Sequence, residues 1–485
     1  MIYSWGYGCT TSTSVIPSGP FGGFNCLGMQ VPGPTLIVTE GLVITVTLTN
    51  SLPAGAGNTS ILFPGFQVTA SAVDATLTGP KAGLLTTEAA PGGTVTYTFN
   101  TTGKAGTHAY YSGTQSDLQI EMGLYGAIIV LPSTPVAVGL SGCTKNNADT
   151  SYTLATSAYD SLPASCYDRE YLFQFAELDP RIHRQAEEQV AAIKTCDPLT
   201  SPSPCPTTLN VATEPYHPNY FLINGRSMPD DMDSNFAPPY PHQPYNGNPH
   251  MHPGDQVLLR VIGVGRWQHP FHEHGNHVRI LARDGNLLLS QTDHTKLAGP
   301  LLFTTTTTPG VAFDGIFYWS GRGLNWDVYG HKPGDGTICN SDSSGYYTTA
   351  STPTAAALPS SFVGGLSTAG APNYYEWCAD HNRALETNPV GNVNSGGPVT
   401  LPDPLILTNG LWYGGTPYLG PVATRNAGGS TPVAPGKATQ NPNAGFAFMW
   451  HSHNEREITT NDVFPGGMMM MMIVDAPYVA IDETL

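Results

Sequence analysis

Residues 34–50 read Pro34-Thr-Leu-Ile-Val-Thr-Glu-Gly-Leu-Val-Ile-Thr-Val-Thr-Leu-Thr-Asn50. They form two β-rich runs broken at Glu40-Gly41. In the second run, Val43 to Thr49 partly alternates apolar and polar residues and is rich in β-branched side chains, as a half-buried strand should be. The same pattern returns at Thr94-Val-Thr-Tyr-Thr-Phe99, after the turn residues Pro91-Gly92-Gly93. Tyr125 to Leu131 is an apolar run that ends at Pro132, the pattern of a buried strand. Short strands at this spacing with Gly/Pro turns predict a β-sandwich over residues 1–132.

The rest of the chain repeats this character. Residues 133–167 read as a connector held by Cys143 and Cys166. A second β-domain is expected over residues 168–485, with strands at Arg169–Phe175, Tyr220–Ile223 and Gln256–Ile262. The segment Ile182–Lys194 is the one convincing helix, rich in Glu, Gln, Ala and Arg. Residues 332–372 and 386–440 are rich in Gly, Pro, Ser and Thr and read as long ordered loops inserted at about 332–440.

Composition agrees with a β-rich chain and excludes several functions. Of 485 residues only 11% are charged, while Gly (54) and Pro (43) are abundant. A net charge of −17 argues against nucleic acid or an anionic membrane as partner. No run of 18 apolar residues exists to span a membrane. The eight cysteines (9, 26, 143, 166, 196, 205, 339 and 378) contain no C-x-x-C or C-x-x-C-H, which removes zinc-ribbon and c-type haem readings. Pairing of nearest neighbours would staple four local loops, but the sequence leaves the connectivity open and free thiols stand as the alternative. Few lysines, an even cysteine count and the sequons at Asn58 and Asn100 favour an extracellular or cell-surface location. The strand-like opening from Met1 to Trp5 reads as a mature form whose leader has been removed.

The chemistry concentrates in His269-Pro270-Phe271-His272-Glu273-His274-Gly275-Asn276-His277 and in Trp450-His451-Ser452-His453. Residues two apart on a strand share a face, so each H-x-H can aim two imidazoles together. Two such strands side by side would bring His272, His274, His451 and His453 to one point, a nitrogen-rich site for a transition metal.

These motifs resemble those of multicopper oxidases. H-P-F-H-x-H-G-N followed by Arg283-Asp284-Gly285 is similar to the third copper motif of that family. His451-Ser452-His453 lines up with its last motif, H-C-H-x-x-x-H. Gly106-Thr107-His108-Ala109-Tyr110-Tyr111-Ser112-Gly113 is similar to the second, G-T-Y-W-Y-H-S-H. Ile61-Leu62-Phe63-Pro64-Gly65 sits where H-W-H-G is expected. The resemblance implies an all-β fold of tandem cupredoxin-like Greek-key sandwiches with little helix, and copper as cofactor. In that pattern His269 would serve the blue copper and the two H-x-H pairs the trinuclear cluster.

The departures are specific. Leu62, Pro64, Tyr111 and Gly113 replace four histidines, Ser452 stands at the blue-copper cysteine, and Glu457 at its second histidine. Of the eight trinuclear positions only His272, His274, His451 and His453 remain, so at most one copper is expected and no haem. A blue site needs a thiolate, so the usual electron transfer is not available to this chain. Against metal binding stands a relic, hydrogen-bonded histidine cluster. His269 and His277 are further candidate ligands, each with a structural alternative.

A narrower likeness involves Leu62–Gly65, Asp117–Leu124, Phe313–Gly315, Trp326–His331 and His451–Glu457. These stretches resemble extracellular multicopper-oxidase-like proteins of metal-reducing and manganese-oxidising bacteria. That likeness implies an association with metal-oxide redox. Met468–Met472 are read as core packing on one face, although thioethers also suit Cu(I). Tyr110 and Tyr111 are candidates for redox-active tyrosines, with ordinary core packing as the alternative. His242, His250 and His252 form a poorer metal candidate, and Glu455–Glu457 read as a second shell or a solvated turn. Two function classes follow. One is a structural or assembly protein of a filament, sheath or surface layer, self-associating or bound to other cell-surface proteins. The other is a copper-dependent metal oxidase or electron-transfer protein. Adhesion through the polar loops has no motif behind it.

Overall fold

In the computed structural model, residues 2–10, 28–135, 143, 156–160, 162–201, 203–321, 415–418, 445–475 and 481 are described. Glu40-Gly41 is where the chain crosses between sheets. Strand Leu36–Thr39 pairs in parallel with Tyr125–Leu131, which also pairs antiparallel with Gly106–Tyr111. Strand Val43–Thr49 instead joins Thr94–Asn100 and Val68–Ala70 in a second sheet. Gly41 has φ of 84°, a left-handed conformation that glycine adopts without the Cβ penalty.

Burial in the two alternating strands follows period two. Val95, Tyr97 and Phe99 are buried, while Ile44, Val46 and Leu48 pack against the same core from the paired strand of the same sheet. The outward threonines pair across the strands, Thr47 with Thr96 at 3.1 Å. Both runs therefore form strands because one face finds a core and the other is satisfied by hydroxyl pairs.

The second sandwich holds a seven-stranded and a six-stranded sheet. The first is built on Arg169–Leu178, Gln256–Gly263, Ala312–Tyr318 and Val278–Arg283. The second runs in the order His250–Met251, Met469–Val474, Gly445–Ser452, His269–Glu273, Thr304–Thr307. Phe173, Phe175, Phe271, Phe317, Trp450 and Met470 are among the residues that fill the space between them. Met468, Met470 and Met472 belong to this core, as expected for one face of that strand.

The fold is all-β with little helix, as the sequence predicts. Small residues let the two sandwiches approach closely: Ala109 and Ala127 of the first meet Ala176 and Ala312 of the second. Thr107 Oγ1 donates to Asp314 Oδ1 across this seam at 2.5 Å, and Arg260 Nη1 donates to Thr107 Oγ1 at 3.2 Å. The buried strand Tyr125–Leu131 serves both sides, with Ile128 and Val130 in the first core and Ala127 in the seam.

The helix spans Pro180–Thr195, starting two residues before the expected Ile182. The reason is the cap: the Asp179 side chain accepts from Arg181 N at 2.9 Å, and Pro180 suits the first turn. Its buried Ile182 and Ala186 pack into the core of the first sandwich. Two of the nearest-neighbour disulfides are present, Cys143–Cys166 and Cys196–Cys205, and Cys9 is disulfide-bonded as well. Within the span read as loop, Gly415–Tyr418 is a strand, added to the edge of Gly445–Ser452. Cys26, Cys339, Cys378, Trp326–His331 and nearly all of 332–372 and 386–440 lie outside the described residues. No described helix is long and apolar enough to cross a membrane.

Candidate metal centre

Strands His269–Glu273 and Gly445–Ser452 are antiparallel neighbours, with His272 directly opposite His451 and Phe271 opposite Ser452. Opposite residues share a face and successive residues alternate. His272, His274 and His451 therefore gather on one side of the sheet. Phe271, Glu273, Trp450 and Ser452 turn to the other.

One ring nitrogen from each of His272, His274 and His451 lies within 4.8 Å of the other two, and all three residues are buried. His451 Nε2 is 3.3 Å from His274 Nε2. Metal–nitrogen bonds of about 2.0–2.1 Å at a tetrahedral ion place two ligand nitrogens at about that separation. His451 Nδ1 donates to the Ser452 carbonyl at 2.7 Å, which leaves its Nε2 lone pair facing His274. His272 Nδ1 is 2.6 Å from Thr304 Oγ1, a contact that fixes the orientation of the ring.

Burial, then the neighbouring imidazoles, hold the His272 pKa down at about 4. Burial likewise lowers that of His451. Both rings are neutral near pH 7, the protonation state that binds metal. The residues fit one imidazole-ligated transition ion. The His453 ring meets that of His272 edge-on at 4.7 Å and lies tilted 5.4 Å from that of His451 by ring centroid, but half its side chain is exposed. It stands at the rim. His277 is exposed and packs 4.8 Å from Phe303, which separates it from His272.

The other face of the same strands holds a different arrangement. His269 is fully buried, with Nε2 2.9 Å from Glu177 Oε2 and Nδ1 2.9 Å from Glu457 Oε2. Burial works against its charge, but the two carboxylates win and raise its pKa to about 9. Ser452 Oγ donates to Glu457 Oε2, and Asn454 Nδ2 to Glu457 Oε1 at 2.8 Å. Glu177 Oε1 accepts from the backbone N–H groups of Arg266 (2.6 Å) and Trp267 (2.9 Å). A protonated imidazole donating from both nitrogens has no lone pair for copper. Around His269 the chain thus carries a closed ion network with no sulfur, and these residues do not fit a copper ion.

Among the described residues, the positions in the first sandwich that the sequence aligns with copper-motif histidines carry no ligand side chains. Leu62 and Tyr111 pair through Leu62 N to Tyr111 O at 2.7 Å. A Cβ at Gly113 would stand 2.8 Å from Leu62 Cγ, so the leucine fills the space a side chain there would need. Tyr110 is buried and donates to the Pro34 carbonyl at 2.7 Å. Tyr111 is half-buried, its hydroxyl facing Gly310 of the second sandwich. His250 Nδ1 pairs with Asp475 Oδ2 at 2.6 Å, and His242 Nδ1 lies 2.9 Å from the Met29 carbonyl.

Two participants escape a reading of the sequence. Glu177 gave one signal, a charge in the otherwise apolar end Phe175–Leu178 of strand Arg169–Leu178. Thr304, from a monotonous Thr run, gave none.

No protein of curated function matches this chain in sequence. In structure it is similar to the blue copper oxidase from Nitrosomonas europaea, at 16% identity and a TM-score of 0.42, over 92% of this chain and 77% of that one. It is similar to the multicopper oxidase mgLAC at 15% identity and 0.42, over 93% and 79%. It is also similar to the copper nitrite reductase from Nitrosomonas europaea, at 18% identity and 0.36, over 60% and 75%. Residues 21–135 match the family model described as multicopper oxidase, which makes that segment similar to the family.

Proposed function

We propose that this chain is an extracellular multicopper-oxidase-like protein that holds one copper ion through His272, His274 and His451, with His453 at the rim. The observation that carries this reading is the convergence of three buried imidazoles within 4.8 Å. Copper is preferred because residues 21–135 match the multicopper oxidase family model and because neutral imidazoles suit that ion. The same residues argue against a blue-copper cycle, since a serine and a buried imidazolium stand where thiolate and metal would be.

In this reading a bound copper ion supplies one-electron redox chemistry. The protein's own contribution is to fix the ligands. The Ser452 carbonyl sets the tautomer of His451, Thr304 orients the His272 ring, and the sheet register aims the two imidazoles at each other. The likeness of Phe313–Gly315 and His451–Glu457 to metal-redox-associated proteins favours metal ions as the reacting partners. The disulfides are compatible with secretion.

Metal analysis of protein purified with copper supplied, combined with EPR, tests the proposal. The expected result is one copper per chain without an intense blue band. A copper content near zero overturns it. A second reading is an assembly-forming structural protein, favoured by the low charged fraction and the long polar segment at 332–440. Electron microscopy of native material decides that reading. Filaments or sheets support it, and uniform single particles count against it.

A further inference from the structure

The register of the six-stranded sheet extends the histidine pair into a longer row. Thr304 is opposite His272, His272 opposite His451, and His451 opposite Met469. These four residues cross four adjacent strands on one face. Directly opposite residues have Cβ atoms about 4.5–5.5 Å apart. The contact of His272 Nδ1 with Thr304 Oγ1 at 2.6 Å shows side chains along the row meeting in that way.

Met469 differs from its neighbours in the methionine run. Met468, Met470 and Met472 belong to the core between the sheets, whereas Met469 is buried outside that core. Alternation puts it on the histidine face, next to His451 on the side away from His272.

We infer that Met469 supplies a thioether sulfur to the ion held by His272, His274 and His451. The centre becomes a three-imidazole, one-thioether site that takes Cu(I) ahead of zinc, because soft thioethers select Cu(I). This rests on the metal-binding reading above and adds the fourth ligand and the oxidation state it favours. It also gives the methionine run two roles, with the odd-numbered Met469 at the metal face and its even-numbered neighbours in the core.

The test compares the full chain with its Met469→Leu variant, a swap that conserves volume and polarity class. Anaerobic competition against a colorimetric Cu(I) chelator gives the Cu(I) affinity, and a zinc dye gives the Zn(II) affinity. Met469→Leu is expected to weaken Cu(I) binding by about tenfold or more, the scale of losing a metal-orienting partner, and to leave zinc unchanged. X-ray absorption of the Cu(I) protein is expected to show a sulfur scatterer that the variant lacks. Equal Cu(I) affinity in both proteins, or a nitrogen-only spectrum, overturns the inference while leaving the histidine site standing. Wild-type protein that binds neither ion overturns the metal reading itself, and the thioether ligand with it.

Discussion

His269 and His272 lie three residues apart on one short strand, yet their surroundings push them to opposite protonation states. His269 is held as an imidazolium by Glu177 and Glu457, with a pKa of about 9. His272, beside three other imidazoles, is held neutral with a pKa of about 4. Relative to an unfolded histidine near 6.5, the raised group contributes stability that is complete below about pH 6.5 and lost as pH rises through 9. The lowered group acts the other way, since the unfolded chain binds its proton first and stability falls as pH drops from about 6.5 toward 4. Urea unfolding from pH 4 to 10 is therefore expected to show a maximum near neutrality. His269→Gln should flatten the alkaline limb, worth about 3 kcal/mol by its shift. It should also destabilise the protein at pH 7 by about 3–5 kcal/mol, because two buried carboxylates lose their cation. The cluster residues have a separate signature: His272→Ala and His451→Ala should each abolish retained copper after dialysis. Their folding, read by circular dichroism, should be preserved.

At the scale of elements, the positions of the first sandwich that the copper motifs would fill with histidine are occupied by packing residues. Leu62 fills the space beside Gly113, and the strand Gly106–Tyr111 is buried throughout except for half-buried Tyr111. Gly113→Ala should cost about 1–3 kcal/mol by overpacking. Leu62→Ala in the same chain should restore part of that loss, and thermal unfolding of the four-protein cycle measures the coupling. Motif matching named these replacements but said nothing of how they pack. A missing histidine shows that a ligand is gone, but not whether the space stays open or closes. The methionine run shows the opposite case. Period-two alternation was legible in the sequence and separates core methionines from Met469. Which face carries the histidines needed the cross-strand register.

At the scale of the whole molecule, the two sandwiches are joined by a seam of small residues and a buried polar network. Arg260 bridges Glu170 at 2.7 Å and Asp314 at 3.5 Å, while Asp314 accepts from Thr107 across the seam. Asp314→Ala should cost several kcal/mol, about 3–5 by analogy with a broken buried pair. It should also broaden the unfolding endotherm in calorimetry as the sandwiches uncouple. The sequence by itself determined the all-β class, the strand at Val43–Thr49, the two H-x-H pairs and the loss of the thiolate. Those features are written in period-two alternation, turn residues and ligand identity, all local along the chain. Only the tertiary structure decided that His269 is an ion-paired cation with no lone pair for metal. It alone decided that His453 sits at the rim and that Met469 joins the row. Burial, cross-strand register and the choice between two carboxylates and a metal depend on residues such as Glu177 and Glu457, distant in sequence and adjacent only once the sheets are packed.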